Sequence, residues 1–135
     1  MTYIDPERAK EVLDRVERER GVVRGWARIL ADRDPDMLEH IHETTMHPLF
    51  KRDNLPRKFK YILMICLNAF QFHEFGVRIQ ARAALKAGAT EDEIIEALEI
   101  VGLSNLHGMS TALPAVVEEF EAFKNAQRQE TQAAS

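Results

Sequence analysis

The feature that most constrains the fold is a series of helix-start signals with no strand pattern between them. Asp5-Pro6-Glu7 combines an N-cap, a first-turn proline and an acid, and Asp34-Pro35 repeats the cap and proline. Pro56 precedes a further apolar run, and Thr90 with Glu93 forms a capping-box pattern. Alternating apolar and polar runs rich in Val, Ile and Thr are missing. The sequence therefore predicts an all-α domain of about six helices.

Glycines and polar breaks predict where these helices end. The first helix should end near Gly21, and a second segment should span residues 22–32. The third opens at Asp34 and stops before the break "KRDNLPRK", from which Pro56 starts the next. The stretch "NAFQFHEFGVRIQARAALKAG" is expected to form a helix that ends at Gly88. "NLHGM" should form a loop between the last two helices.

Composition excludes several classes of function. The chain has 135 residues, one cysteine and a net charge of −4, and its basic residues are interleaved with acids. That pattern does not favour nucleic acid or an anionic membrane as a partner. A single cysteine, Cys66, excludes an intrachain disulfide and a Cys-x-x-Cys centre. No apolar run approaches a membrane span and no secretory signal is visible, so a cytoplasmic location is expected.

The segment "YILMICL" indicates that the protein associates with itself. It is apolar on every face of the predicted helix, which is typical of a helix surrounded by protein. A helical chain of 135 residues has few layers with which to cover such a helix. We therefore expect a homo-oligomer formed through the central helices.

The segments "LPRKFKYILMICLNAF" and "RAALKAGATEDEIIEAL" resemble the carboxymuconolactone decarboxylase family, which includes the alkylhydroperoxidase D proteins. The resemblance covers about half the chain, residues 55–110. It implies an AhpD-like helical domain, obligate dimers, trimers or hexamers, and a pocket near the two central helices close to a subunit contact. We expect an N-terminal helical extension at residues 1–32, the family domain at 33–125 and a frayed polar tail at 126–135.

The chain departs from the family at the reactive positions. The peroxidase branch has Cys-x-x-Cys-x-x-x-His, and its cysteines fall on His73 and Gly76 and its histidine on Gln80. The branch's glutamate falls on Tyr61. A disulfide-forming peroxidase needs a thiolate and a resolving thiol, so thiol peroxidase activity is excluded. The decarboxylase branch keeps a histidine at the position of Gln80, so its proton-transfer role would have to pass to His73.

His73 is the first candidate for a catalytic group. If the helix includes it, His73, Gly76 and Gln80 lie along one strip, and Gly76 leaves room for a small cavity. Nearby aromatic rings would lower the local dielectric and favour a neutral imidazole that acts as a base. These rings belong to Phe70, Phe72 and Phe75. The alternative is a helix-end histidine bonded to a backbone carbonyl.

Five residues besides His73 complete the candidate site. Tyr61 is the second catalytic candidate, since its hydroxyl could polarise a carbonyl, although it could also be a core aromatic residue. Gln80 and Gly76 would bind the substrate. His107 could be a second acid or base at the pocket, or a solvated loop residue. Trp26 could cover the pocket or fill a subunit contact.

The remaining histidines, the cysteine and Glu74 are expected to have structural roles. The segment "HIHETTMH" holds His40, His42 and His47 with Glu43, which could bind zinc if residues from other helices joined them. It has neither the His-Glu-x-x-His pattern nor cysteine ligands, so we expect no metal and no cofactor. Cys66 should be a buried, inert thiol. Glu74 should pair with Arg78 one helical turn later.

Taken with the resemblance, these residues favour a cofactor-free lyase or decarboxylase that acts on a small lactone or oxo acid. A non-catalytic ligand-binding or scaffold protein of the same fold is an alternative, because all four carried-over positions are changed. A metal-dependent enzyme that uses the histidine cluster is a further alternative. Stabilisation by a ligand without turnover would indicate the ligand-binding protein. Stoichiometric metal in the purified protein would indicate the metal-dependent enzyme.

Overall fold

A computed structural model describes residues 5–21 and 23–135, and these residues fold into seven α-helices and one short π-helical segment. The helices are α1 (Pro6–Arg20), α2 (Gly25–Arg33), α3 (Pro35–Met46), α4 (Arg57–Phe70), α5 (Glu74–Lys86), α6 (Glu91–Ser104) and α7 (Leu106–Ala133). The π-helical segment, His47–Lys51, extends α3. The all-α prediction is confirmed, with one helix more than expected. The predicted start of the second helix at residue 22 lies outside the described residues.

The predicted capping residues make the expected hydrogen bonds. The Asp5 carboxylate accepts from two amides of the first turn of α1, and Gly21 ends that helix with a φ of 75°. Asp34 accepts from the Met37 amide at the start of α3. Thr90 and Glu93 accept reciprocally from each other's amides, as a capping box requires. Each cap satisfies amides that the helix itself leaves without a partner.

The chain divides into two compact units, residues 1–52 and 53–135. In the first unit α1, α2 and α3 pack on one another. The buried apolar residues of this unit include Ala9, Val12, Val16, Ala27, Ala31 and Leu38. Arginines of α1 pair with acids of α3, so charge as well as apolar contact joins these two helices. The expected boundary between residues 32 and 33 stays a prediction.

In the second unit α4 packs on α5 and α6, and α7 packs along α5 and α6. The core of this unit includes Ile62, Ile65, Val77, Ala81, Ile94, Leu98, Val116 and Phe120. Ala81 and Ala84 are fully buried on α5, and such small residues let neighbouring helices approach closely. The buried Glu119 of α7 accepts two hydrogen bonds from Arg82 of α5, which compensates its charge.

Two features of α7 differ from the sequence-based expectation. The break between α6 and α7 is the single residue Asn105, so His107 lies in the first turn of a helix and not in a loop. The helix also continues through the polar residues 126–133, all of which are exposed. Whether this end frays in solution stays a prediction.

The central helix α4 is not covered on all sides within one chain. Four of its large apolar side chains are about half exposed and follow each other at helical spacing: Phe59 (48%), Leu63 (51%), Leu67 (57%) and Phe70 (51%). The opposite face, with Ile62 and Ile65, faces the core of the second unit. We call the four exposed residues the α4 stripe. In the described part of the chain, no helix is long and apolar enough to cross a membrane.

Candidate functional site

The candidate site lies at the corner between α4 and α5. Phe72 adopts a left-handed conformation with a φ of 57°, which non-glycine residues rarely do. Its amide donates to the Ala69 carbonyl at 3.1 Å, and the His73 amide donates to the Asn68 carbonyl at 2.9 Å. These two bonds form a Schellman motif, which ends α4 and fixes the backbone of the next residue. His73 is that residue.

His73 lies immediately before α5 and not inside it. It occupies the N-cap position, and its carbonyl accepts from the Val77 amide at 3.1 Å. Its side chain is exposed. The predicted position of His73 inside the helix is therefore wrong, because the helix starts one residue later. The strip that it was expected to share with Gly76 and Gln80 stays a prediction.

The imidazole of His73 is bonded to a side chain of α4. Its Nδ1 lies 2.8 Å from Oδ1 of Asn68. The Asn68 amide nitrogen donates to the Met64 carbonyl at 2.6 Å, so the amide group is tied to its own helix. The imidazole is thus held by an amide oxygen and not by the backbone carbonyl that was the sequence-based alternative.

Gly76 is buried against this pair of side chains. A Cβ atom at this position would lie 2.6 Å from Cγ of Asn68 and 2.7 Å from Nδ1 of His73. Side chains do not approach each other that closely. The space that the glycine leaves is filled by the Asn68–His73 contact, so the predicted cavity beside His73 is wrong.

The aromatic rings near His73 do not enclose it within one chain. Phe70, Phe72 and Phe75 are each more than half exposed. The His73 and Phe75 rings lie with centroids 6.5 Å apart and their planes tilted by 47°. In the isolated chain the imidazole is therefore in contact with solvent, and the expected low dielectric would need a cover from elsewhere.

Tyr61 lies near the other end of α4. At about 1.5 Å per residue, it is about 13 Å along the helix axis from Phe70, the residue that ends α4. Its ring packs against the core of the second unit. Burial raises the pKa of the Tyr61 phenol, with the nearby Arg57 charge acting in the opposite direction, so the hydroxyl keeps its proton at neutral pH. Within one chain Tyr61 and His73 therefore do not form one site.

The three remaining candidates lie on three different helices. Gln80 is partly buried, about two turns into α5. His107 is exposed, and its carbonyl accepts hydrogen bonds from the hydroxyls of Ser110 and Thr111. Trp26 lies on α2 of the first unit and is 47% exposed. The predicted binding roles of these side chains stay predictions.

The histidines of α3 do not converge. His42 is 2% exposed, with Nε2 2.6 Å from a Glu19 oxygen and Nδ1 accepting from Nε of Arg20 at 3.0 Å. His40 and His47 are exposed. Glu43 pairs with Arg15 and Lys51. Among the residues that the structure describes, no three His, Cys, Asp or Glu side chains form a group that could hold a metal ion.

Glu74 and Cys66 both have defined neighbours in the structure. Glu74 pairs with Arg78 at 2.7 Å, which confirms the predicted helical pair. Cys66 is half-buried, less than expected, and its Sγ lies 3.7 Å from the Ala97 carbonyl. Burial raises the pKa of the Cys66 thiol, which disfavours the reactive thiolate.

Sequence reasoning missed Asn68. The signal was a polar residue inside "MICLNAF", an otherwise apolar run that leads into a histidine and a glycine. A buried amide in such a run needs partners for both of its ends, and a search for those partners would have pointed to His73.

Three surface grooves formed by residues that the structure describes lie away from this corner. An open groove of about 740 Å³ runs between α1 and α2 in the first unit and is lined by Leu13, Val23 and Ile29 among others. Two shallower hollows border the exposed end of α7. None of the three is lined by His73, Tyr61 or Gln80. A groove that is open to solvent does not by itself indicate chemistry, so the side-chain contacts at the corner are the stronger support for a functional site.

Comparison with known proteins defines the class to which this helical architecture belongs. The family model of the carboxymuconolactone decarboxylase family matches residues 35–118, more than half of the chain. The protein belongs to this family. No curated protein sequence gives a significant match.

Two crystal structures from Burkholderia xenovorans LB400 are similar to this chain. One is of a protein described as a carboxymuconolactone decarboxylase, with a TM-score of 0.72 and 21% identity. That match covers 89% of this chain and 96% of the other, and at this identity it shows the fold alone. The other is described as a gamma-carboxymuconolactone decarboxylase subunit, with a TM-score of 0.62 and 29% identity. The match covers 93% of this chain but 51% of that one, so this chain spans about half its length.

Proposed function

We propose that the protein is a cofactor-free lyase that decarboxylates a small lactone or oxo acid, with His73 as the group that transfers the proton. The observation that carries the proposal is the held imidazole at the α4–α5 corner. A base that works by proton transfer needs an orienting partner on one nitrogen and access to the other. Asn68 engages Nδ1 at 2.8 Å. The residue is exposed, and Nε2 is the ring nitrogen that Asn68 does not engage.

Decarboxylation needs a proton for the carbon and a group that stabilises the negative charge on the enolate oxygen. When the substrate carboxylate leaves as CO2, the electrons of the broken carbon–carbon bond pass to a conjugated carbonyl, which becomes an enolate. Protonated His73 then gives its Nε2 proton to the carbon, and the neutral imidazole recovers a proton from water. A hydrogen-bond donor to the enolate oxygen lowers the barrier. We assign that donor role to Tyr61 and Gln80.

We further propose that the working form is a homo-oligomer in which a second copy covers the α4 stripe. The stripe continues into exposed Phe72 and Phe75, beside His73, and into Leu103 and Leu106. Leu103 and Leu106 lie on either side of Asn105. The Asn105 side chain bonds to the Phe70 carbonyl at 3.0 Å, which brings both leucines next to the end of the α4 stripe. With Phe and Leu side chains that are about half exposed or more, this surface offers on the order of 800 Å², the area per partner of a standard stable interface.

A covering copy would also supply what the isolated chain lacks at the site. It would cover the aromatic rings around His73 and lower the local dielectric, which strengthens hydrogen bonds to a developing oxyanion, while substrate and water still reach Nε2. It could also bring a second Tyr61 towards the corner, whereas Tyr61 of the same chain lies near the other end of α4. The proposed binding roles of His107 and Trp26 belong to this assembled form.

The test is turnover of 4-carboxymuconolactone, followed by loss of the lactone's ultraviolet absorbance. The wild type is compared with His73→Ala, and His40→Ala serves as the control, because His40 is exposed on α3 of the first unit. We expect activity in the wild type and the control, and a loss of about a hundredfold or more in His73→Ala. Full activity in His73→Ala would refute the proposal.

A non-catalytic ligand-binding or scaffold role is the second candidate. The observation that favours it is the distance along α4 between Tyr61 and His73, which leaves no complete catalytic set within one chain. This role predicts that small acids raise the melting temperature of the protein without being consumed. Stabilisation by a lactone acid with no turnover of it or of related oxo acids would support this candidate over the lyase.

A further inference from the structure

We infer that Asn68 is a positioning residue that holds neutral His73 in the tautomer with its proton on Nδ1, so that Nε2 is the basic nitrogen. The assignment of the tautomer follows from the geometry of the corner. Its meaning for proton transfer rests on the function proposed above. Asn68 lies inside α4 and contacts the imidazole only through Nδ1.

The orientation of the Asn68 amide is fixed by the backbone. Its two ends lie against the Met64 carbonyl, at 2.6 Å, and Nδ1 of His73, at 2.8 Å. A carbonyl can only accept, so the end that faces Met64 must be the donating Nδ2. The reversed amide would place two oxygen acceptors 2.6 Å apart, which is repulsive. The end that faces His73 is therefore the oxygen.

An amide oxygen can only accept, so the nitrogen that faces it must carry a proton. Nδ1 of His73 is therefore protonated both in the neutral ring and in the imidazolium. In the neutral ring the second nitrogen, Nε2, then carries the lone pair. His73 can take up and release a proton at Nε2 without breaking its contact with Asn68. The proton that moves in the proposed reaction is thus confined to one nitrogen.

The glycine at position 76 makes this arrangement possible. Any side chain there would displace Asn68 or His73, since a Cβ would lie within 2.7 Å of both side chains. The Schellman motif fixes the other half of the contact, because it holds the His73 backbone against the Asn68 carbonyl at 2.9 Å. The position of the His73 ring is therefore fixed jointly by Asn68, Gly76 and the left-handed Phe72.

The test is the nitrogen-15 NMR signature of the His73 ring in the labelled protein, at a pH above the histidine titration range. A free histidine side chain in water favours the tautomer with the proton on Nε2. We expect His73 to show a protonated Nδ1 and an unprotonated Nε2, in contrast to exposed His40 in the same spectrum. A wild-type His73 with its proton on Nε2 would overturn the inference without any variant.

Three variants test whether Asn68 causes this tautomer. In Asn68→Ala the oxygen acceptor is lost, so the His73 signals should change to those of the Nε2-protonated ring. In Gly76→Ala the new methyl group displaces the Asn68 oxygen, so the same change is expected from a residue that never touches Nε2. Asn68→Asp has no donor for the Met64 carbonyl, so its carboxylate should turn away from that carbonyl. It still presents an oxygen acceptor to His73 and should retain the Nδ1 proton. An Nδ1-protonated ring in both alanine variants would contradict the role of Asn68.

Kinetics separate this inference from the proposed function. If the protein decarboxylates a lactone acid, Asn68→Ala should lower kcat by about ten- to a hundredfold with KM changed by less than about threefold, and Asn68→Asp should restore most of kcat. An equal loss of kcat in Asn68→Asp, with the Nδ1 proton of His73 retained in its NMR spectrum, would refute positioning through the oxygen. If the NMR signature is found but no acid is turned over, the tautomer assignment stands and the proposed function fails.

Discussion

Two histidines of this chain are held in opposite tautomers by their neighbours. Neutral His42 accepts at Nδ1 from Arg20, so its proton lies on Nε2, which faces Glu19 at 2.6 Å. His73 faces an oxygen with Nδ1, so its proton lies there. The first histidine is 2% exposed and has both ring nitrogens occupied, which suits a structural role. His73 is exposed, and because its Nδ1 is bonded to Asn68, Nε2 is the nitrogen that can exchange a proton.

The contact with His42 gives Glu19 a pH-dependent role in stability. The hydrogen bond from His42, followed by that from Arg15, lowers the pKa of the Glu19 carboxyl from its ordinary value of 4.5. A lowered pKa means that the folded state binds the proton less readily than the unfolded state. The stabilisation is therefore complete above about pH 4.5 and is lost as the pH falls through the folded pKa.

We predict that Glu19→Gln flattens the acid part of the stability profile. The free energy of unfolding, measured with urea at a series of pH values, should fall less steeply below pH 4.5 in the variant than in the wild type. The sign follows because glutamine cannot be protonated in this range. Profiles that run parallel below that pH would contradict the role of Glu19.

At the residue scale the sequence predicted what depends on local spacing and missed what depends on one backbone angle. The Glu74–Arg78 pair follows from a separation of four residues on a helix. The position of His73 follows from the left-handed Phe72, and no glycine or asparagine marks that residue in the sequence. The helix was therefore predicted to include His73, and Gly76 was interpreted as an empty space.

At the scale of elements, the start of α7 is tied to the end of α4. The Asn105 side chain caps α7, with Oδ1 accepting from the Gly108 amide at 2.9 Å, while its Nδ2 donates to the Phe70 carbonyl at 3.0 Å. Gly108 approaches the Ala69 carbonyl so closely that a Cβ would lie 2.6 Å from it. One side chain and one glycine thus bring α7 against the α4–α5 corner.

Asn105→Ala should cost about 1 to 2 kcal/mol of stability, because it removes a helix cap and leaves the Phe70 carbonyl without this donor. Urea denaturation measures the cost. Asn105→Asp serves as the matched variant: it keeps the cap oxygen but not the donor, and should lose less than alanine does. Equal stability of the alanine variant and the wild type would show that the link is unimportant.

The helices themselves were largely predictable. Caps and prolines marked the starts of α1, α3, α4 and α6, because those signals act within one turn. The change from α6 to α7 was predicted as a five-residue loop, whereas it takes one residue. The reason is that Asn105 ends one helix and caps the next at the same position, a double role that spacing alone does not reveal.

At the scale of the whole molecule, the α4 stripe is the feature that one chain does not explain. Half-exposed large apolar side chains at helical spacing are costly in water and are typical of protein contact surfaces. The sequence predicted an apolar α4 and a need for more protein around it. It could not predict which face stays open, because that depends on how α5, α6 and α7 pack around the helix.

Leu67→Glu should dissociate the oligomer. A charge in the centre of the α4 stripe would be buried without a partner in the assembled form, at a cost of several kcal/mol per copy. Light scattering with size-exclusion chromatography should show a smaller particle, and circular dichroism should show the helical content unchanged. Val117→Glu, on an exposed part of α7, is the matched control. A monomeric wild type, or a variant of unchanged size, would rule out this surface as the contact.

Solvent exchange tests whether His73 transfers a proton to or from carbon. In D2O, an enzyme that protonates the carbon of its decarboxylated product also catalyses the reverse step, so the product exchanges that hydrogen for deuterium. Proton NMR of the lactone product follows the loss of the signal. We predict rapid exchange with the wild type and exchange at the buffer rate with His73→Ala. Equal exchange with both proteins would contradict the account.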